Sequence, residues 1–152
     1  MRGEFTRRAD LRDAGSAFPP EAPLQLLLTL GGSDPENHTW QILTALGGVS
    51  NLEFDVIIGP ANPHVGAWQA LRATADPRIT VHINPPDLPG LMARSNLAIC
   101  AGGTTAWELC FLGVPLLVLA LEENQRSNAE LLMNTGAARG LGWVRELTTS
   151  RL

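Results

Sequence analysis

The stretch Leu97-Ala-Ile-Cys-Ala-Gly-Gly-Thr-Thr-Ala-Trp-Glu108 contains the pattern that decides the fold. An apolar run with the character of a strand, Leu97–Cys100, ends near a pair of glycines, and a helical pattern begins at Thr105. The same order occurs earlier, where Gln25–Leu30 is followed by the loop Gly31-Gly-Ser-Asp-Pro35. A strand, a glycine loop and a helix in this order are typical of a parallel α/β sheet.

Outward from these two units, short apolar runs alternate with helical stretches, and Gly or Pro marks the junctions. The apolar runs are continuous, as in parallel strands that are covered on both faces. The pattern predicts an α/β fold with a doubly wound, Rossmann-like parallel sheet of strand order 3-2-1-4-5-6. The predicted strands are Gln25–Leu30, Glu53–Ile58, Ile79–Ile83, Leu97–Cys100, Leu116–Ala120 and a weak strand Ala137–Val144. The predicted helices are His38–Leu46, His64–Ala75, Leu88–Arg94, Thr105–Leu112 and Asn124–Thr135.

Composition places the chain among ordinary globular proteins. Its 152 residues are 45% hydrophobic and 17% charged, which suits one domain with a buried core. The net charge of -4 argues against a nucleic-acid partner. No apolar run is long enough to span a bilayer, and the first residues lack the apolar core of a signal peptide. We therefore expect a cytoplasmic protein in which Cys100 and Cys110 are reduced thiols.

The first 23 residues differ from the regular pattern that follows. Met1–Asp13 is polar and rich in Arg, and Ala17–Pro23 carries three prolines. We expect residues 1–23 to be a linker remnant from an N-terminal domain that is missing from this chain. Residues 24–152 are expected to form the single Rossmann-like domain.

The two glycine loops are predicted to face each other across one crevice. The first and fourth strands are neighbours in the predicted order, and ligands bind at the carboxyl ends of such strands. Glycine lets backbone N–H groups approach a ligand, and a helix start adds partial positive charge, so an anion site is predicted. The hydroxyls of Ser33, Thr104 and Thr105 can add hydrogen bonds. Each loop alone is also compatible with a plain tight turn or with a Thr that caps its helix.

Several enzyme classes are disfavoured by the loops. Neither loop has the Gly-Lys-Ser/Thr of a Walker A motif or the G-x-G-x-x-G spacing of a dinucleotide fold. The sequence also has no Asp-x-Asp pair and no His/Cys cluster, so no metal site and no cofactor are predicted.

The motifs resemble a known family. The stretch Cys100–Glu108, with Gly113-Val-Pro115 and Asn124–Ala129, resembles the nucleotide-sugar half of GT-B proteins related to the MurG glycosyltransferases. The loop Gly31–Pro35, together with His82-Ile-Asn84 and Leu91-Met92, is more similar to the PseG- and SpsG-like UDP-sugar hydrolases. The resemblance implies a UDP-sugar-binding domain of a nucleotide-sugar hydrolase in surface polysaccharide or nonulosonic acid biosynthesis. The alternatives are the donor domain of a GT-B glycosyltransferase and a non-catalytic nucleotide-sugar-binding module.

The resemblance also implies a set of binding residues. The diphosphate is expected between the two glycine loops, the ribose hydroxyls at one carboxylate, the sugar beside the last helix, and the uracil at a backbone segment. The residues expected around the diphosphate are Gly31, Gly32, Ser33, Gly102, Gly103, Thr104 and Thr105. Glu108 is the carboxylate expected at the ribose, Gln125 and Asn128 are expected beside the sugar, and Ile83 and Asn84 are expected beside the uracil. No catalytic residue is expected, because the family's base lies in the N-terminal domain. We also expect the domain to be truncated at its C-terminus, with self-association through the apolar surface this exposes.

Other readings of these residues stay open at the level of sequence. Thr105 and Glu108 have the spacing of a capping box, and Gln125 and Asn128 fit a solvent-exposed helix start with Asn124 as its cap. His38 is interpreted as a solvated residue at the start of its helix, with a phosphate contact as the alternative. His64 is interpreted as the start of the second helix, and His82 as a structural residue bonded to the backbone. Trp40, Trp68 and Trp107 lie at core-facing helical spacing and are interpreted as packing residues.

Overall fold

The computed structural model describes Gly3, residues 22–74 and residues 76–147. The predicted linker 1–23 and the predicted helix end at Ala75 therefore lie almost entirely outside the described residues.

The carboxyl-terminal ends of six parallel strands form one edge of a single sheet. Its order is β3-β2-β1-β4-β5-β6, so the prediction of a doubly wound sheet with order 3-2-1-4-5-6 is confirmed. A register shift between Val118 and Leu119 marks the pairing of the glycine-containing last strand. The strands are β1 Leu24–Thr29, β2 Leu52–Ile58, β3 Ile79–Ile83, β4 Leu97–Ala101, β5 Leu116–Ala120 and β6 Arg139–Trp143.

The helices follow the predicted pattern with shifts of one or two residues at their ends. They are α1 His38–Leu46, α2 Val65–Thr74, α3 Leu88–Ala93, α4 Thr104–Phe111 and α5 Glu123–Asn134, and a short 3-10 helix covers Val144–Glu146. Among the described residues, no helix is both long and apolar enough to cross a membrane.

Two apolar layers enclose the sheet. Ile42, Leu43 and Leu46 of α1 and Trp68 of α2 pack on one face. The other face is covered by α3, α4 and α5, with buried residues such as Met92, Leu109 and Leu132. The prediction that Trp40 packs in the core is wrong, because Trp40 is 44% exposed; its ring makes an edge contact with that of Trp68, at 5.5 Å between ring centroids.

A buried carboxylate interrupts the apolar pattern of β2. Asp55 is 2% exposed, and its carboxylate accepts a hydrogen bond from Gln25 Nε2 at 3.0 Å. Arg94, at the end of α3, donates to it at 3.2 Å, and His82 Nε2 lies 2.5 Å from Asp55 Oδ1. The interpretation of His82 as a backbone-bonded residue is therefore wrong. This polar cluster of Asp55, Gln25, His82 and Arg94 connects β3 and the end of α3 to the central strands β1 and β2.

We expect Asp55→Ala to lower the free energy of unfolding by about 2–4 kcal/mol, because it removes a buried carboxylate that is in contact with Gln25, His82 and Arg94. Urea denaturation measures the change. Asp76→Ala is the matched control, because it removes an Asp–Arg pair whose side chains are about one third exposed, at 2.6 Å from Arg78. Equal losses for both variants would contradict a stabilising role for the buried cluster.

Candidate functional site

A cleft opens at the carboxyl ends of the strands, where β1 and β4 are neighbours and the strand order reverses. It consists of two adjoining lobes that share Thr29, Gly31, Gly32 and Thr105. The first, of about 420 Å³, is called the α5 lobe; its walls also include Ser33, Asp34, Pro35, Glu36, His38, Gly103, Glu122, Gln125, Val144 and Arg145. The second, of about 330 Å³, is called the β3 lobe; its walls also include Ile57, Ile58, Gly59, Pro60, Asn84, Pro85 and Leu88.

The first glycine loop is held by the chain that follows β2. Gly31 has a φ of 99°, a conformation that favours glycine. The amide of Ala61 donates to the carbonyl of Gly32 at 3.1 Å. Gly59 packs so closely that a Cβ there would lie 2.7 Å from the carbonyl carbon of Gly32. Gly59, which the sequence analysis did not single out, therefore shapes the loop.

The N-terminus of α1 does not contribute a free helix end to the cleft. Asp34 is 3% exposed, and its carboxylate accepts the amides of His38 and Thr39, both at 2.9 Å. The carboxylate occupies the donors that an anion would need and offsets the helix dipole. The prediction of an anion site at this helix start is wrong, and any anion contact on this side comes from the loop itself.

The N-terminus of α4 is arranged differently. Its N-cap is Gly103, in an extended conformation and without a side-chain hydrogen bond, so neither Thr104 nor Thr105 caps the helix. The capping-box reading of Glu108 is also wrong, because Glu108 is the fifth helical residue and does not occupy the third position. Thr105 lines both lobes, which places this open helix end against the cleft.

The start of α5 packs on the second glycine loop. A Cβ at Gly102 would lie 2.7 Å from the carbonyl oxygen of Gln125 and 3.3 Å from Ala129 Cβ. The N-cap of α5 is Glu122, without a side-chain hydrogen bond, so the reading of Asn124 as the cap is wrong. Gln125 Oε1 accepts the amide of Leu121 at 3.1 Å, which fixes the Gln125 side chain in the wall of the α5 lobe.

Asn84 forms part of the wall of the β3 lobe. Its φ is 45°, and its amide donates to the carbonyl of Ile58 at 3.0 Å. The turn that leaves β3 is thereby held beside the end of β2.

The cleft brings together seven of the twelve predicted site residues. These are Gly31, Gly32, Ser33, Asn84, Gly103, Thr105 and Gln125. The other five lie behind the walls or beside them: Ile83, Gly102, Thr104, Glu108 and Asn128. Glu108 is 0% exposed, and Asn128 is half-buried on α5.

Two histidines hold the outer part of the first loop. His64 Nε2 lies 2.9 Å from the carbonyl oxygen of Pro35. His38 Nε2 lies 3.0 Å from Glu36 Oε2, and His38 lines the α5 lobe. The prediction of a solvated His38 is wrong, because its side chain is only 14% exposed, and the prediction that His64 starts the second helix is wrong by one residue, because α2 begins at Val65.

Neither cysteine offers a reactive thiolate. Burial raises the pKa of the Cys100 thiol, and burial also raises that of Cys110. In the part of the chain that the structure describes, no group of three or more His, Cys, Asp or Glu side chains could hold a metal ion.

Comparison with known proteins places this site in a family. Residues 30–152 match the glycosyltransferase family 28 C-terminal domain. The chain belongs to this family, and its fold is that of the C-terminal half of a GT-B glycosyltransferase.

Two curated relatives are similar over most of this chain. The spore coat polysaccharide biosynthesis protein SpsG of Bacillus subtilis is 34% identical over 120 residues, which are 77% of this chain and 35% of SpsG. A UDP-N-acetylglucosamine--N-acetylmuramyl-(pentapeptide) pyrophosphoryl-undecaprenol N-acetylglucosamine transferase of Chromobacterium violaceum is 34% identical over 150 residues, covering 91% of this chain and 40% of that enzyme. The chain thus spans well under half the length of these relatives.

Solved structures agree on the fold. The crystal structure of Acinetobacter baumannii MurG matches with a TM-score of 0.66 and 24% identity, over 94% of this chain and 41% of that chain. The spinosyn rhamnosyltransferase SpnG matches with a TM-score of 0.66 and 23% identity, over 88% of this chain and 37% of that chain.

Proposed function

We propose that this chain binds a UDP-sugar, as the nucleotide-sugar half of a two-domain GT-B protein in polysaccharide biosynthesis. The observation that carries the proposal is the two-lobed cleft at the reversal of strand order, with both glycine loops in its walls. Membership of family 28 and the similarity to SpsG support the same reading.

The two lobes suggest how the ligand is oriented. The diphosphate would lie over the shared residues, between the Gly31–Ser33 loop and the open N-terminus of α4, where Gly102–Thr105 lies. The uracil would enter the β3 lobe beside Ile83 and Asn84.

The remaining parts of the ligand have their own proposed contacts. The sugar would lie in the α5 lobe near Gln125, with Asn128 one turn further along the helix. Glu108 would accept hydrogen bonds from the ribose hydroxyls.

For the reaction of the whole protein we propose hydrolysis of the UDP-sugar, on the strength of the Gly31–Pro35 loop and its likeness to the PseG-like enzymes. Transfer to an acceptor is the second candidate, favoured by the family match and by the relative in Chromobacterium violaceum. Release of UDP from a UDP-sugar in buffer, without an acceptor, separates the two reactions when it is measured on the full-length protein. Hydrolysis gives steady release, whereas a transferase gives release only when an acceptor is added.

We expect the chain to bind UDP with a dissociation constant between roughly micromolar and millimolar, about -4 to -8 kcal/mol. The affinity is expected to be the same with and without EDTA, because helix ends, loop amides and protein side chains supply the phosphate contacts. Isothermal titration calorimetry with UDP, run with and without EDTA, measures the two dissociation constants.

The matched ligand control is uridine, which lacks both phosphates and is expected to bind more weakly. Absence of heat at millimolar UDP would overturn the proposed function. Binding that requires a divalent ion would overturn the metal-independent part of it.

A further inference from the structure

The α5 lobe is lined by a positively charged side chain, Arg145, that lies outside the sequence motifs. Among the described residues that line this lobe, Arg145 is the one arginine, and the whole sequence contains no lysine. Arg145 lies in the 3-10 helix Val144–Glu146, directly after β6. It therefore lines the same lobe as Gly31, Gly32 and Gly103.

Two of the three acidic residues that line the lobe, Asp34 and Glu36, have side-chain partners of their own. The carboxylate of Asp34 is bonded to two amides at the start of α1, and that of Glu36 lies 3.0 Å from His38 Nε2. Glu122 is the exposed N-cap residue of α5. Within residues 22–74 and 76–147, Arg145 forms no ion pair with a carboxylate.

The side chain of Arg145 is held in position by an aromatic ring. Its guanidinium carbon lies 4.8 Å from the centroid of Trp143, the last residue of β6. Stacking of this kind orients the guanidinium plane and leaves its N–H groups available at the edge. Arg145 is thus a positioned cation on a cleft wall.

We propose that Arg145 binds the distal phosphate of a nucleoside diphosphate in the α5 lobe. The inference rests on the proposed function, which puts the base in the β3 lobe, the diphosphate over the shared residues and the sugar in the α5 lobe, so that the phosphate nearer the sugar borders the α5 lobe. The distal phosphate then enters the lobe that contains Arg145. A guanidinium matches the geometry of two phosphate oxygens, and such charge-assisted pairs are stronger than neutral hydrogen bonds.

The test compares UDP, UMP and uridine binding to the parent chain and to Arg145→Gln, by calorimetry. We expect the variant to bind UDP about tenfold or more weakly, UMP only slightly more weakly, and uridine unchanged. The affinity of the variant for UDP should also depend less on salt, because one charge pair is lost. Arg145→Lys should recover part of the UDP affinity, because lysine keeps the positive charge. The recovery should be incomplete, because lysine lacks the planar guanidinium that can donate to two phosphate oxygens at once.

Arg139→Gln is the matched control, because Arg139 begins β6 as an exposed arginine outside both lobes. It removes the same charge from the strand that leads into the 3-10 helix of Arg145, and it should leave UDP binding unchanged. Equal UDP affinities of the parent chain and Arg145→Gln would overturn this inference and leave the proposed function intact. Equal losses for UDP, UMP and uridine would also overturn it, because they indicate a structural role. Failure of the parent chain to bind UDP would overturn the proposed function itself.

Discussion

Gly59→Ala is expected to displace the first glycine loop and to weaken UDP binding at least about tenfold. The added Cβ would lie 2.5 Å from Gly32 Cα and 2.7 Å from its carbonyl carbon, and it would also clash with the carbonyl oxygen. These are backbone atoms, so no side-chain rotation relieves the contact. Because Gly31 and Gly32 line both lobes, a shift of this loop changes the whole cleft. We expect the free energy of unfolding to fall by about 1–3 kcal/mol as well.

Gly66→Ala provides the matched control for this variant. Gly66 lies in α2, and a Cβ there meets no atom within 4 Å. Its UDP affinity should equal that of the parent chain, and its stability should rise by about 0.5–1 kcal/mol, because alanine is the better helix former. Calorimetry and urea denaturation on both variants measure the two effects. If Gly59→Ala binds UDP like the parent chain, the loop is not positioned by this contact.

Glu108→Gln is expected to weaken UDP binding by about ten- to a hundredfold. The variant keeps the shape of the side chain and removes the charge, so it would weaken the charge-assisted hydrogen bonds that we propose between Glu108 and the ribose hydroxyls. Gly103 is the N-cap of α4, so a capping role for Glu108 no longer competes with this reading. Its side chain is buried on the helix whose first turn faces the cleft. There a carboxylate interacts more strongly with a partner than it would in water.

A ligand lacking one ribose hydroxyl distinguishes this role from a structural one. The parent chain should bind UDP more tightly than 2′-deoxy-UDP, and Glu108→Gln should bind the two ligands alike. A variant that loses affinity for both by the same factor has been disturbed in its packing, and Glu108 would then be removed from the proposed site. The melting temperature of each variant serves as the control for folding.

The fold could be predicted because its signals are local. Continuous apolar runs, glycine loops and helical spacing each lie within a few residues, and together they specify a parallel sheet and its order. The helix ends were less predictable, since capping depends on loop geometry. Asp34 caps α1 from outside the helix, and Gly103 precedes α4 without a side-chain cap.

The site was predicted only where its residues lie within motifs. Gly59 and Arg145 are far from the glycine loops in sequence, and the strand order alone does not show which side chains approach those loops. Asp55 was missed for a related reason. Its partners His82 and Arg94 come from β3 and from the end of α3, and only the register of the sheet brings the three side chains together.

The bonding of Asp34 makes the electric field of the cleft asymmetric. The positive end of α1 is offset by the carboxylate of Asp34, which precedes the helix, and α5 begins with Glu122 and Glu123, whereas α4 begins with neither a side-chain cap nor an acidic residue. Helix dipoles act most strongly within their first turn, so the attraction of helix ends for an anion is concentrated at the start of α4, beside β4. For the proposed nucleotide ligand, we therefore expect this field to draw the phosphates toward α4 before the base makes contact with the protein.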